Sequence, residues 1–383
     1  MAYDQKQFHQ LLVLAVKNSV SDIHLRAGEK PYFRIKGHLK AINSAELSDE
    51  DMRKISLLTI VEEDIKAKID SLKEYDGSYQ YGNVCRVRVN ILRFQGKLAI
   101  IMRVITMQIP TLAQLKLPEA VTSITNAKRG LVLVTGVTGS GKSSTLAAML
   151  EEINMNRSEH ILTIEDPVEF LFSSKKCRIT QRELGSDTES FKDALRGALR
   201  QDPDIIVIGE MRDAETIQIA MKAAETGHLV FGTVHTTNAP STINRVVSMF
   251  PPEEQDNIKK RLSECLHATV SQRLLPTKDG KGRVCAQEIM VNNPGIQECI
   301  SGKEPLSQMY VFMEKTKDTM QSFDQHLTQL YKADKITYDV AIDAASSPSN
   351  FERNLEFGGN DDDEENKNDS RKKEDESSLE LDR

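Results

Sequence analysis

A glycine-rich segment at residues 136–143 carries the strongest chemical signal in this sequence. It fits the pattern G-x-x-x-x-G-K-[ST] in full, between an apolar run of strand length at 131–134 and a helical stretch at 144–153. Glycines let such a loop turn its backbone N–H groups, and the N-terminus of the following helix, toward phosphate oxygens. The predicted phosphate-binding residues are Gly136, Thr138, Gly139, Ser140, Gly141, Lys142, Ser143 and Ser144.

Three side chains have the types needed to manage phosphate charge and a bound magnesium ion. In this pattern Lys142 reaches the β- and γ-phosphates and the Ser143 hydroxyl is a Mg²⁺ ligand. The apolar run at 205–208 is followed by Gly209 and Glu210, which places a carboxylate at the carboxyl edge of a sheet, where ligands bind. We expect Glu210 to act on Mg²⁺ directly or through water, although an exposed charge after a strand is the alternative reading.

A second acidic group follows the apolar run at 161–164. Glu165, Asp166 and Glu169 surround Pro167, which fixes a turn. Hydrolysis needs a group that orients water in line with the γ-phosphate, and either Glu165 or Glu169 has the chemistry to do so. Spacing alone does not choose between them. They could instead cap the next segment or pair with surface arginines.

Two histidines flank the apolar run at 229–234 and must therefore lie at opposite ends of one strand. His235 is expected at the ligand-facing edge of the sheet and His228 at the other edge. We favour a functional role for His235, whereas His228 is as consistent with a structural role as with a functional one. Arg212 lies two residues beyond Glu210, and the sequence assigns it no role.

The apolar runs alternate with helical stretches, which predicts an α/β domain with a mostly parallel sheet covered on both faces. After about Ser271 the pattern becomes more helical and irregular. The first hundred residues predict a small α+β domain. Its elements are an amphipathic opening through Phe8, Leu11, Leu12, Leu14 and Val16, strands at 32–36, 86–91 and 98–104, a hairpin turn at 95–97 and a polar helical region at 48–72.

We predict four segments from these patterns. They are an N-terminal domain at 1–107, a linker at 108–118 that contains Pro110 and Pro118, an ATPase domain with C-terminal helices at 119–357, and a disordered acidic tail at 358–383. Eleven acidic and five basic residues lie between Asn360 and Arg383, so the tail carries −6 of the net charge of −7. The nearly neutral body argues against nucleic acid as the main partner.

Other compositional features exclude further classes. The five cysteines include no C-x-x-C pair, which argues against a zinc or redox site. No apolar window is long enough for a transmembrane helix, and the polar N-terminus does not resemble a secretory signal. We therefore expect a cytoplasmic protein that is not inserted in a membrane and whose contact with a membrane would come through a partner.

The order of these motifs resembles that of secretion-type ATPases. The phosphate loop is followed by TIEDPVE, IIVIGEMRD and AAETGHLVFGTVHTT, which resemble the Asp box, Walker B and His box, and SDIHLRAG near the start is similar to a segment of the PilT/PilU family of type IV pilus retraction ATPases. The likeness spans about residues 8–351. The late segment at 295–302 departs from the family pattern at Gln297 and Ser301, which leaves the subtype open.

The resemblance implies a PAS-like first domain and a RecA-like second domain, assembled as a hexameric ring that binds ATP and Mg²⁺. It implies that Glu169 is the catalytic glutamate, Glu210 the Walker B acid, and His228 and His235 the His-box pair. Arg88 and Arg103 occupy the strands whose arginines meet the phosphates in such proteins, and as fixed planar cations they would stabilise transition-state charge. Solvated or salt-bridged arginines are the alternative.

Two functions follow from this family. The chain is either an active motor that powers pilus retraction and twitching motility through an inner-membrane platform protein, or an accessory ring subunit that binds ATP and assists a paralogous retraction ATPase. A translocase of DNA or RNA is a weaker third reading, because the body of the chain is nearly neutral.

Overall fold

The structure is a computed structural model that describes residues 4–35, 37–82, 84–105, 108–316 and 319–357. Its contacts divide the chain into two units, Met1–Ile109 with Glu169–Leu171, and Pro110–Val168 with Phe172–Arg383. The predicted acidic tail at 358–383 lies outside the described residues, as do Thr106 and Met107 at the predicted end of the first domain.

The first unit is built on an antiparallel sheet. Its described strands are β1 (Asp22–Arg26), β2 (Tyr32–Ile35), β3 (His38–Ala41), β4 (Glu74–Tyr81), β5 (Cys85–Phe94) and β6 (Lys97–Ile105), and its described helices are α1 (Gln5–Lys17), α2 (Asp49–Thr59) and α3 (Glu63–Lys66). The strand order is β3-β2-β1-β6-β5-β4. Strand β1 therefore pairs with β6, which comes about eighty residues later in the chain.

Alternation along the strands gives this sheet one apolar face. On β5, Val87, Val89 and Ile91 are buried whereas Arg88 is exposed. The predicted hairpin between β5 and β6 is confirmed, with Gln95 and Gly96 in its turn. The predicted opening helix is also confirmed.

Two details of the predicted elements differ in the structure. Leu14 and Val16 are exposed, because they lie off the stripe of α1 that buries Phe8, Leu11, Leu12 and Ala15. The helical region predicted over 48–72 is divided into α2 and α3 by the extended residue Ile60, which caps α2.

The second unit is built on a mostly parallel sheet. Its described strands are β7 (Gly130–Thr135), β8 (His160–Glu165), β9 (Arg178–Glu183), β10 (Ile205–Ile208), β11 (Leu229–Val234), β12 (Leu266–Pro276) and β13 (Arg283–Val291). Their order is β13-β12-β7-β11-β10-β8-β9, and β13 is antiparallel to its neighbour whereas the others are parallel. The mixed α/β class predicted from the apolar runs is confirmed.

Helices cover this sheet. Those described are α4 (Glu119–Thr125), α5 (Lys142–Asn156), α6 (Phe191–Ala198), α7 (Ala214–Glu225), α8 (Ala239–Ser248), α9 (Pro252–Cys265), α10 (Pro294–Ser301), α11 (Met309–Lys315), α12 (Phe323–Lys332), α13 (Tyr338–Ala344) and α14 (Pro348–Phe357). Every residue of β7, β10 and β11 is buried, as expected of central strands that are covered on both faces. Within the described ranges, no helix has the length and apolar character needed to cross a membrane.

The prediction of a helical, irregular region after about Ser271 is wrong for its first part. This region contains about the second half of β12 and all of β13, and the two strands pair over nine residues before the C-terminal helices begin. Polar residues interrupt both strands at Ser271, Gln272, Gln287 and Glu288, yet all four are at most 1% exposed. Their side chains break the apolar pattern that would have identified the strands.

Candidate active site

The phosphate loop connects β7 to α5, and its glycines adopt backbone conformations that other residues rarely take. Gly136, Gly139 and Gly141 have φ angles of 145°, 81° and 92°. A Cβ atom at Gly136 would lie 2.4 Å from Ser140 Oγ and 2.7 Å from the Gln272 carbonyl oxygen. Only glycine therefore fits at position 136, where the loop leaves β7 and packs against the backbone of β12.

Lys142 begins helix α5 and points back into the loop. Its buried ammonium donates hydrogen bonds to the carbonyl oxygens of Gly136, at 2.9 Å, and Val137, at 3.1 Å. These acceptors are neutral, and a phosphate oxygen makes a stronger, charge-assisted bond with an ammonium. The lysine is therefore already placed at the loop where it is predicted to meet phosphates.

Strand β12 braces this loop from one side through residues that the sequence did not single out. Gln272 Nε2 donates to Thr145 Oγ1 on α5 at 2.7 Å, and Thr135 Oγ1 at the end of β7 donates to Ser271 Oγ at 2.9 Å. The only sequence signal was the adjacent polar pair Ser271 and Gln272 inside an otherwise apolar strand. The braces connect the strand before the loop and the helix after it to β12.

Glu210 and His235, predicted at the same sheet edge, are in direct contact. Glu210 follows β10 and His235 follows β11, and parallel pairing of these strands brings their carboxyl ends together. His235 Nε2 lies 3.1 Å from Glu210 Oε1, while Arg212 Nη2 donates to Glu210 Oε2 at 2.7 Å. Arg212 is thus a direct partner of the predicted metal-binding acid.

The contacts of Glu210 keep its carboxylate charged. The hydrogen bond from Arg212 lowers the pKa of Glu210, and the neighbouring His235 acts in the same direction against the opposing effect of partial burial. The same hydrogen bond raises the pKa of Arg212. An ionised oxygen donor is the form that a divalent cation requires.

The acidic segment after β8 is anchored to the edge strand β9 on both sides of Glu169. Glu183, which is 9% exposed, accepts a hydrogen bond from the Val168 N–H at 3.0 Å. Gln181 accepts one from the Phe172 N–H at 2.9 Å. Glu169 lies between these anchors with an exposed side chain.

The other carboxylate considered for orienting water, Glu165, has partners within the sheet. Its Oε1 accepts hydrogen bonds from Thr163 Oγ1 at 2.7 Å and from Gln181 Nε2 at 3.2 Å. Glu165 is therefore fixed to β8 and β9. The assignment of Glu169 as the carboxylate that orients water stays a prediction.

His228 lies at the opposite end of β11 from His235, as its position in the sequence predicted. Its Nδ1 is 2.9 Å from the Ala223 carbonyl oxygen near the end of α7, and its own carbonyl accepts from the Gly130 N–H. The structure does not bring His228 to the edge that carries Glu210. Its assignment to the catalytic set stays a prediction.

The two predicted arginines belong to the first unit. Arg88 on β5 and Arg103 on β6 are direct cross-strand partners, and both are exposed. Arg103 Nε donates to Asp22 Oδ1 at 3.1 Å. Their proposed contact with phosphates stays a prediction.

The donor atoms at the phosphate loop fit a nucleotide with magnesium. The Ser140 hydroxyl is buried, and among the described residues its oxygen has no hydrogen-bond partner. Ser143 and Ser144 lie half-buried in the first turn of α5, whose N-terminal N–H groups favour anions. Ser143 and Glu210 offer a hydroxyl and a carboxylate oxygen, which are ligand types that magnesium takes.

Comparisons with known proteins identify the family of the chain. The family described as Type II/IV secretion system protein matches residues 4–347. The type IV pilus retraction ATPase PilT of Pseudomonas aeruginosa is 43% identical over 343 residues, which is 89% of this chain and 99% of the relative. The type IV pilus ATPase PilU of the same organism is 37% identical over 352 residues, or 92% of each chain.

A solved structure shows the same likeness. The crystal structure of the pilus retraction motor PilT with bound ADP is 41% identical, covers 90% of this chain and 98% of its own, and superposes with a TM-score of 0.83. The chain therefore belongs to the type II/IV secretion system protein family, within its group of type IV pilus retraction ATPases.

Proposed function

We propose that this chain is a Mg-ATP-hydrolysing motor that works as a homohexameric ring and powers retraction of type IV pili, and with it twitching motility. The main observation behind the proposal is that Glu210 and His235 are in contact at the carboxyl edge of the parallel sheet. Strand β7 of the same sheet leads into the phosphate loop. The retraction function of the relative that is 43% identical supports the direction of movement.

Different residues of the site would have different roles in ATP hydrolysis. Lys142 would exchange its two loop carbonyls for the β- and γ-phosphates, while loop N–H groups bind the remaining phosphate oxygens. Magnesium, when bound, neutralises the developing charge on the phosphates, and Ser143 and Glu210 would hold it. His235 would keep the Glu210 carboxylate oriented from its Oε1 side.

The remaining roles concern water and the transition state. Glu169, between its two anchors on β9, would orient the attacking water. Arg88 and Arg103 would stabilise charge on the transferred phosphoryl group, as arginines do in related phosphoryl transfers. We keep His228 in the proposed catalytic set as the second histidine of the His box, although it lies at the other end of β11 from His235 and Glu210.

We also propose the setting in which the motor acts. Six copies would form a ring in the cytoplasm, held at the inner membrane by a pilus platform protein rather than inserted in the membrane. A paralogous retraction ATPase is a further proposed partner, because relatives named PilT and PilU occur together in Pseudomonas aeruginosa. The domain limits proposed for this motor are a PAS-like domain at 1–107, a linker at 108–118, a RecA-like domain at 119–357 and an acidic tail at 358–383.

The second candidate is an accessory ring subunit that binds ATP and assists a partner motor. Its support is the 37% identity to the PilU relative, which is lower than the 43% identity to the PilT relative. The two candidates predict different fates for ATP that is mixed with the purified protein in the absence of a partner. A motor hydrolyses it, whereas the accessory reading allows binding without turnover.

The test is ATP hydrolysis by the purified full-length protein beside Lys142→Ala and Glu169→Gln, with molar mass measured in the same buffer. We expect Mg²⁺-dependent turnover that rises with hexamer formation, and a loss of at least about 100-fold in each variant. Nucleotide binding should be lost in Lys142→Ala and retained in Glu169→Gln. Binding without turnover by the unmodified protein would instead favour the accessory function.

A further inference from the structure

The sheet of the first unit carries a row of charged side chains that runs straight across four neighbouring strands. Arg34 on β2 is the direct partner of Asp22 on β1. Asp22 is in turn the partner of Arg103 on β6, and Arg103 is the partner of Arg88 on β5. Direct partners on antiparallel strands project from the same face with Cβ atoms about 5 Å apart. The four residues therefore form one line, which we call the arginine row.

The arginine row lies on the face of the sheet that points away from the apolar core of this unit. On β5 the neighbours of Arg88, Val87 and Val89, are buried in that core, and on β6 the neighbour Met102 is buried. Alternation along each strand therefore turns the arginines to the opposite face. Three guanidinium groups and one carboxylate leave this row with a surplus of two positive charges.

Asp22 is the residue that organises the row. Its side chain is only 11% exposed and lies between two guanidinium groups. Oδ1 accepts a hydrogen bond from Arg103 Nε at 3.1 Å, and Oδ2 lies 3.6 Å from Arg34 Nε. The Ser21 hydroxyl also donates to Oδ2, at 2.9 Å, which fixes the plane of the carboxylate.

This anchoring leaves the recognising end of Arg103 available. Asp22 binds the guanidinium through Nε, so the two terminal nitrogens are not used in that hydrogen bond, and the Arg103 side chain is 73% exposed. Arg88 stands directly opposite, where its charge would otherwise repel that of Arg103. A carboxylate beside the pair offsets this repulsion and fixes one arginine before any anion arrives.

We propose that Asp22 is a positioning residue that sets Arg103 beside Arg88 as a two-arginine clamp for the terminal phosphate of a nucleoside triphosphate. Planar guanidinium forks bind phosphate oxygens in pairs, and a side chain that is fixed in advance loses less conformational entropy on binding. The inference rests on the proposed function, because it takes the anion to be the γ-phosphate of the ATP that the motor hydrolyses.

The test compares affinities of the full-length protein for ATPγS and for ADP, both with Mg²⁺, by calorimetry. We expect Asp22→Asn to weaken ATPγS binding about tenfold and ADP binding less than twofold, because only ATPγS carries the terminal group. The matched control is Asp70→Asn, which removes an ion pair with Arg53 in the same unit but outside the arginine row. The control should leave the ratio of the two affinities unchanged.

A double-mutant comparison separates positioning from a general structural role. In an Arg103→Gln background, Asp22→Asn should have no further effect on the affinity ratio, because the residue that Asp22 positions is already gone. Equal weakening of both nucleotides, or an undiminished effect in that background, would overturn the inference. Should Asp22→Asn fail to fold, Ser21→Ala removes one bond to the carboxylate and should lower the same ratio about twofold.

Failure of the inference and failure of the proposed function give different results. If the unmodified protein hydrolyses ATP and Arg103→Gln lowers the affinity ratio while Asp22→Asn does not, only the positioning role is wrong. If the unmodified protein neither hydrolyses ATP nor prefers ATPγS over ADP, the proposed function itself fails.

Discussion

The two sheets of this chain gather charged residues in different ways. In the second unit the residues meet at one edge of a parallel sheet, where Glu210 and His235 each follow a strand and make contact. In the first unit they meet on the face of an antiparallel sheet, where Asp22 and Arg103 are cross-strand partners. The edge cluster depends on where strands end, and the face cluster depends on how strands pair.

This difference decides how each cluster responds to change. At the edge of a parallel sheet, a side chain is placed by the end of its own strand and supported by one neighbouring strand. A substitution there is expected to affect the role of that side chain without changing the others. On the face of an antiparallel sheet, every member is positioned by the partners beside it, so the effects of substitutions are expected to be coupled. The predictions below, together with the test of Asp22, can confirm or contradict this difference between the two sheets.

The largest effect is expected at the phosphate loop of the second unit, from Gly136→Ala. The new Cβ would meet the Gln272 carbonyl oxygen at 2.7 Å, and backbone cannot move aside as a flexible side chain can. Strain of about 1–3 kcal/mol at a loop that must wrap phosphates predicts nucleotide binding weakened by up to about 100-fold. Calorimetry with ADP measures this loss, and thermal unfolding measures the accompanying destabilisation.

Gly185→Ala provides the control for the backbone conformation alone. Gly185 has a φ of 88°, but a Cβ there would meet no atom within 4 Å. It should cost about 1–2 kcal/mol of stability without a change in ADP affinity. Unaltered ADP binding by Gly136→Ala would show that β12 does not support the phosphate loop.

A smaller effect is expected at Glu183, which tests whether the neighbouring strand β9 supports Glu169, the glutamate proposed to orient water. Glu183→Met removes the acceptor for the Val168 N–H and leaves that buried donor unsatisfied. We expect kcat to fall about tenfold with little change in nucleotide affinity, because the turn that carries Glu169 shifts. Glu183→Gln keeps an oxygen acceptor and should stay within about twofold of the unmodified protein.

Thr180→Val is the control for strand β9 as a whole. It removes the contact between Thr180 Oγ1 and His160 Nε2, which lies toward the other end of the same strand. Its kcat should be unchanged. An equal fall in kcat for Glu183→Gln and Glu183→Met would mean that the negative charge, not the hydrogen bond to Val168, is what matters.

The smallest effect concerns pH and Arg212. The hydrogen bond from Arg212 lowers the pKa of Glu210, so the carboxylate stays ionised to lower pH than an ordinary glutamate. Arg212→Gln removes this cation, and Glu210 should then take up a proton at higher pH. The acid limb of kcat/KM should accordingly move upward in pH, with little change in kcat at pH 8. An unmoved limb would exclude Glu210 as the group whose ionisation that limb reports.

The edge cluster was largely predictable from the sequence, whereas the cross-strand pairing that forms the arginine row was not. Each edge motif is a local signal, since Glu210 follows its own apolar run and His235 follows another. Contact between them then follows from the rule that parallel strands end at one edge. The partnership of Asp22 and Arg103 depends on the register of β1 against β6, which no local pattern in either strand specifies.

The residues that support the phosphate loop, the turn that carries Glu169, and Glu210 were also beyond prediction. Gln272 and Glu183 lie on strands where polar residues broke the apolar pattern, and a buried polar residue resembles a loop residue until its partner is known. Arg212 lay inside the recognised segment IIVIGEMRD, but nothing in its spacing showed that its side chain would contact Glu210. Motif residues were therefore predictable, while the residues that orient them required the tertiary structure.

The place of β12 in the sheet has a consequence for how the protein is made. The phosphate-loop sequence ends at Ser143 and leaves the ribosome long before Leu266–Pro276, which forms the strand beside β7. Until that strand is synthesised, one side of β7 is an open edge and the Gln272 brace of α5 is missing. A nascent chain interrupted before Leu266 would carry the complete glycine signature without its support. We therefore expect a nascent chain to bind nucleotide only after β12 has been synthesised, and not as soon as the phosphate-loop sequence is available.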